Sequence, residues 1–342
     1  MPRWAGLVAA LLASFSFAVG SAGAEGREIY VAFLGDGGTG GKEQKSVARQ
    51  LELAREQGKL DYVFLLGDNL YPKGEAKKIG PNFLDVYRNL LDAGVAFHAA
   101  LGNHDVEVCG ILNLTPLPRD ATAYTRCEVD RQLDPANRFG YANGSRYYHL
   151  TIPGDSSYGE AALAQVFVID TNTLASSQSL LPSGDDRDQL QWLDGELSRS
   201  TATWKIVIMH HPIHTPKAAG WFRGHSRELR LGEQLEPILM RGGVDVVFAG
   251  HNHFYARIVP QAGIRYFVSG GGGQRILRYR PAEDYVAFDP ERGKFHHFIH
   301  VRVSPEWFEY CVVDAVGRTR DGGRFRHGDD FDEPLPEGAC PY

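Results

Sequence analysis

Five short polar segments each follow directly on an apolar, strand-like run, and this repetition constrains the fold more than any bulk property. They are Leu34-Gly35-Asp36-Gly37-Gly38, Gly67-Asp68-Asn69-Leu70-Tyr71, Gly102-Asn103-His104-Asp105, Met209-His210-His211-Pro212 and Gly250-His251-Asn252-His253. The runs before them are Ile29 to Leu34, Tyr62 to Leu66, Val95 to Leu101, Lys205 to Met209 and Val244 to Ala249. Amphipathic stretches at Lys42 to Gln57, Pro81 to Leu91, Asp186 to Leu197 and Leu229 to Arg241 read as helices. Further strands are expected at Tyr147 to Ile152, Val166 to Ile169, Arg265 to Ser269, Phe298 to Val303 and Trp307 to Val313. Alternation of this kind followed by strands predicts a mixed α/β architecture. Ligands of such sheets gather outside the carboxyl ends of the strands, so the five segments can meet in one cleft.

Asp oxygen, Asn oxygen and His nitrogen suit hard and borderline cations such as iron, zinc and manganese. Glycines beside these donors let the backbone turn sharply and come close to an ion or a phosphate. A lone Gly-Asp is usually a turn, and a lone His-x-His is weak. All five segments, in this order and each after a strand, carry the inference together.

The pattern resembles the calcineurin-like metallophosphoesterase superfamily, whose order is GD, GD, GNH(D/E), H, GHxH. Asp68-Asn69-Leu70-Tyr71 further resembles the GDxxY motif of the purple acid phosphatase branch, and the chain is similar to its short, tartrate-resistant form. The likeness runs from about Ile29 to Arg257 and less securely to about Gly317. It implies a layered α/β/β/α sandwich of two mixed β-sheets flanked by helices, the metallophosphoesterase fold. It also implies an Fe(III) site of Asp36, Tyr71 and His253, and a second site of Asn103, His210 and His251 for a divalent Fe, Zn or Mn. Asp68 would be shared by the two sites. The activity implied is hydrolysis of phosphate monoesters, small molecules or phosphorylated proteins, by a hydroxide formed at the metals. His104 would hold the phosphate or protonate the leaving oxygen, and Asp105 would orient His104. His225 would face the substrate from the loop Gly220 to Ser226. His211 and His214 are weaker candidates. Arg257 meets either phosphate or a structural carboxylate, while His296, His297 and His300 read as packing or surface residues.

Residues Ala5 to Gly20 are apolar and small, follow Arg3, and precede Ala22-Gly23-Ala24. This is the pattern of a secretory signal peptide over residues 1–24. The run is shorter than the roughly 20 residues that span a bilayer, which disfavours an uncleaved anchor. A secreted or periplasmic enzyme follows, with a catalytic domain over 25–320 and a polar tail of loop character over 321–342. The four cysteines then suggest disulfides. Cys109–Cys127 and Cys311–Cys340 are a natural pairing, though four cysteines allow three connectivities. Asn113 and Asn143 open glycosylation sequons. A net charge of −6 argues against a nucleic-acid partner, and no membrane contact is expected once the leader is removed. Residues 106–146 form a long irregular insertion directly after Asn103-His104, placed to shape the rim of the cleft.

Two other readings remain. The same metal core could serve a phosphodiesterase of cyclic nucleotides or phospholipid head groups, although Tyr71 favours the acid phosphatase branch. A secreted binding protein with an inactive site would lack a ligand, and none is missing.

Overall fold

The computed structural model describes residues 28–106, 129–154, 162–175, 186–216, 229–277, 286–288, 293–336 and 338–340. Its first half runs β1 (Ile29–Leu34), α1 (Lys42–Glu56), β2 (Tyr62–Leu65), α2 (Arg88–Asp92), β3 (Ala96–Ala99), α3 (Val129–Leu133), β4 (Tyr148–Ile152) and β5 (Ala164–Val168). There follow α4 (Arg187–Arg199), β6 (Trp204–Met209), α5 (Leu229–Gly242), β7 (Val246–Ala249), β8 (Tyr255–Arg257), β9 (Arg265–Ser269), β10 (His297–Val303), β11 (Phe308–Asp314) and β12 (Thr319–Phe325). The strands form two six-stranded mixed sheets, ordered β12-β11-β10-β1-β2-β3 and β4-β5-β6-β7-β9-β8. In the first, β1, β2 and β3 are parallel and β10 runs antiparallel to β1. In the second, β5, β6, β7 and β9 are parallel.

The period of two along the strands sorts side chains into layers. On β6, Ile206 and Ile208 join the core shared with the first sheet, while Val207 and Met209 join the core under α4 and α5. β7 divides the same way, with Val246 and Phe248 on the inner side and Val247 and Ala249 on the outer. The sheets meet where Phe33 stacks on Phe248, ring centroids 3.9 Å apart. On the far side of the first sheet, α1 buries Gln44, Val47, Ala48, Leu51 and Ala54, a stripe at helical spacing. The result is the expected α/β/β/α sandwich of two mixed sheets flanked by helices. Among the described residues, no helix is long and apolar enough to cross a membrane.

Three expectations need correction. The helix expected from Pro81 to Leu91 is broken into a π-type turn at Gly80–Leu84 and the short α2. A distant side chain takes part: the Asn82 carbonyl accepts from Gln44 Nε2 of α1 at 2.9 Å. The insertion is not wholly irregular, because its second half holds α3 and two 3-10 turns. The tail expected as loop over 321–342 is loop-like only in its later part, because Thr319–Phe325 pairs antiparallel with β11.

That last strand is held by charge as well as by the ladder. Asp321 accepts from Arg257 Nε at 2.8 Å and from Tyr255 Oη at 2.7 Å. Asp332 accepts from Arg265 Nε and from Tyr310 Oη, each at 2.7 Å. Arg257 is therefore a structural cation, which settles the choice left open by the sequence. The Cys311–Cys340 disulfide fastens the same region; Cys109 and Cys127 lie outside the described residues. Replacing Asp321 with alanine leaves Arg257 and Tyr255 short of an acceptor in a mostly buried place. The expected cost is about 3 kcal/mol, read as a lower urea midpoint at unchanged slope.

Buried histidines give the fold a pH limit. His300 is 2% exposed, stacks on Tyr30 and donates from Nε2 to the Lys59 carbonyl at 2.8 Å. Burial holds its imidazole down at about 4. The folded chain thus binds fewer protons than the unfolded chain between about 4 and the ordinary value near 6.5. Stability from His300 is complete above that ordinary value and is lost as pH falls through the folded one. The loss amounts to ~3 kcal/mol for this group. His300→Gln keeps a donor for Lys59 and does not titrate. Its urea midpoint should fall less than the wild type's between pH 7.5 and pH 4.5; an equal fall in both would contradict the assignment.

Candidate metal centre

The carboxyl ends of β1, β2, β3, β6 and β7 point to one place, where the two sheets adjoin. Asp36, Asp68, Asn103, His210 and His251 stand in the turns that follow these strands. Three of these residues have left-handed backbone: Asp36 at φ 60°, Asp68 at φ 55° and His251 at φ 68°. Such angles are uncommon for residues with a Cβ and cluster at functional sites. The turns also press on one another. A Cβ on Gly102 would lie 2.1 Å from the Asp68 amide nitrogen, so only glycine lets the β3 turn approach the β2 turn.

Two groups of donors result. In the first, Tyr71 Oη lies 2.7 Å from Asp68 Oδ2, 3.2 Å from Asp36 Oδ1 and 3.3 Å from His253 Nε2. His253 Nε2 also lies 3.3 Å from Asp36 Oδ1. In the second, Asn103 Oδ1 is 3.0 Å from both His210 Nε2 and His251 Nδ1. His210 Nε2 is 3.4 Å from Asp68 Oδ1. The two oxygens of Asp68 thus face different groups. The other nitrogens of the rings decide what these atoms carry. His210 Nδ1 is 2.9 Å from the Leu66 carbonyl and His253 Nδ1 is 3.1 Å from the Arg275 carbonyl. With Nδ1–H donated to a carbonyl, each Nε2 presents a lone pair. Lone pairs crowded at these distances repel, and a cation between them removes the repulsion. The donor set therefore fits two metal ions.

The electrostatics agree. Burial pushes the Asp68 carboxyl up, but His210, His104 and the Tyr71 hydrogen bond outweigh it and hold it below the ordinary carboxylate value. Burial raises the Tyr71 phenol well above its ordinary value, and the Asp68 and Asp36 charges raise it further. Burial alone would lower His253, but the Asp36 carboxylate outweighs it and raises the imidazole. The raised Tyr71 and His253 values both register the negative charge of Asp36 and Asp68, the charge to which a cation would be drawn.

The other expected residues divide. His104 joins the site: its amide donates to Asp68 Oδ1 at 2.9 Å and its ring lies 4.7 Å from that of Tyr71. Its Nδ1 meets the Pro72 carbonyl at 2.7 Å. The Asp105 carboxylate, expected to orient His104, accepts from amides of the β2 and β3 turns. Burial, with the Asp68 charge adding, pushes Asp105 up to about 7. His211 is buried, meets Thr171 Oγ1 at 2.9 Å and packs on the His251 ring. His214 pairs with Glu236 away from the donors. His225 lies outside the described residues. His297 and His300 are core residues, and His296 is half-buried with Nδ1 at the Gly271 carbonyl. Sequence reasoning missed Asn69, Gln132 and Tyr141, which back the site; only Asn69 had a signal, its place inside the second motif.

A family model described as calcineurin-like phosphoesterase matches residues 29–255. Purple acid phosphatase 3 of Arabidopsis thaliana is 28% identical over 305 residues, covering 83% of this chain and 74% of its own. Tartrate-resistant acid phosphatase type 5 of Oryctolagus cuniculus is 24% identical over 326 residues, covering 86% and 91%. Purple acid phosphatase PPD1 from yellow lupin seeds superposes with a TM-score of 0.67 at 16% identity, over 88% of this chain and 54% of that one. GAP50, described as the anchor in the inner membrane complex of Plasmodium, superposes at 0.71 with 18% identity, over 88% and 90%. At such identities the superpositions speak for the fold alone. The family match spans the strand ends that gather the donors from Asp36 to His253, and the chain belongs to the calcineurin-like phosphoesterase family.

Proposed function

We propose that the chain is a secreted acid phosphatase that hydrolyses phosphate monoesters at a centre of Fe(III) and a divalent metal. Asp36, Tyr71 and His253 hold the iron, Asn103, His210 and His251 hold the second ion, and Asp68 joins the two sites. The observation that carries the reading is the division of Asp68, with Oδ2 on the Tyr71 side and Oδ1 on the His210 side. A phenolate is a hard anionic donor matched to Fe(III), and the chain is similar over most of its length to several purple acid phosphatases. When bound, the two ions would neutralise charge on the phosphate and acidify water.

The chain's own residues do the rest. The Leu66 and Arg275 carbonyls fix the tautomers of His210 and His253. His104 Nδ1–H donates to the Pro72 carbonyl, which leaves Nε2 facing outward; with the ring as imidazolium, Nε2–H would protonate the departing alcohol. Cys311–Cys340 accords with an oxidising compartment, and residues 1–24 are the leader that would bring the chain there. An aryl phosphate monoester and the matching diester, assayed side by side from pH 4 to 8, test the proposal. The monoester should turn over faster, and a chelator should abolish the rate. Faster diester cleavage would transfer the chain to the phosphodiesterase reading.

A further inference from the structure

We propose that Asp105 is a positioning residue that locks the Asp68–Tyr71 loop to the Asn103 loop, and that the folded part of the insertion completes the lock. The proposal rests on the metal-centre reading above. Asp105 is 1% exposed. Its Oδ1 accepts from the Asn69 amide at 2.9 Å and the Leu70 amide at 3.0 Å. Its Oδ2 accepts from the Gly102 amide at 2.7 Å and from Asn69 Nδ2 at 3.1 Å. Gln132 Nε2, from α3, reaches Oδ1 at 3.3 Å.

The geometry explains why one carboxylate matters to several ligands. Asn69 and Leu70 are the residues between Asp68 and Tyr71, and their successive N–H groups converge on one anion. Fixing those peptides sets the directions in which the Asp68 and Tyr71 side chains leave the backbone. The Gly102 bond sets the neighbouring loop, from which Asn103 projects. The insertion adds a second tie, because Asn69 Nδ2 also lies 3.2 Å from Tyr141 Oη. Asp105 thus stands one layer behind the donors, with its lone pairs taken by N–H groups. An amide in its place turns at least one N–H2 toward those donors and leaves a buried N–H without an acceptor.

The test compares the wild-type chain from residue 25 with Asp105→Asn and Gln132→Leu. Zn2+ affinity is measured by chelator competition, with far-UV circular dichroism as the folding control and a pH–rate profile as the second readout. For Asp105→Asn the expected result is native circular dichroism and Zn2+ affinity about 10- to 100-fold weaker, the range for residues that orient metal ligands. The pH–rate profile should keep its shape at reduced height. Wild-type Zn2+ affinity combined with loss of one limb of the profile overturns the proposal and makes Asp105 a proton-transfer group. Should Asp105→Asn not fold, Gln132→Leu decides: weakened Zn2+ binding in a folded chain supports the lock, and wild-type affinity overturns it. A wild-type chain that binds no Zn2+ refutes the metal-centre reading itself and removes the basis of this one.

Discussion

Asp68→Ala is expected to release both metals and to lower kcat by more than about 100-fold, the upper end of what changes behind the ligands cost. The size of the effect follows from the position of the carboxylate. Every other donor in the centre belongs to one group, whereas Asp68 contributes an oxygen to each. In the proposed centre its removal would withdraw a ligand from each ion and the negative charge that would offset their mutual repulsion. The fold should survive, because Asp68 lies in a turn after β2 and the sheet beneath it is apolar. Metal analysis after dialysis, set beside circular dichroism, checks the prediction. A variant that kept both ions would show that the two groups of donors are bound independently.

Tyr71→Phe is expected to remove the visible absorption of the iron-loaded chain while leaving the divalent site able to bind. The phenol oxygen is the atom that meets Asp36, Asp68 and His253, and the ring itself packs beside His104. Phenylalanine keeps the ring and deletes that oxygen. The stability cost should be about 1 kcal/mol, that of a lost hydrogen bond. A spectrum unchanged in Tyr71→Phe would place the chromophore on another residue.

Most of the donors could be read from the sequence because each is a polar residue next to glycine at the end of a buried apolar strand. β1 runs over the expected Ile29–Leu34, and α1 ends within one residue of its expected end, because burial on both faces leaves a continuous apolar run and a clean helical stripe. What stayed hidden depends on distant partners. Thr319–Phe325 carries charges and two glycines, so it looks like loop until Arg257 and Tyr255 are seen to take up Asp321. The break near Asn82 involves a glutamine side chain on another helix. The contacts of Asp105 stayed hidden for a related reason. Its neighbour in sequence is His104, but its neighbours in space are the amides of Asn69, Leu70 and Gly102.

A tyrosinate-bound iron beside a second metal would show itself in the colour and metal content of the chain. The chain from residue 25 should be purified without added chelator, its metals quantified and its visible spectrum recorded. Iron and a second metal are expected in equal amounts, with a broad band near the green. A colourless protein holding two divalent ions and no iron would contradict this expectation.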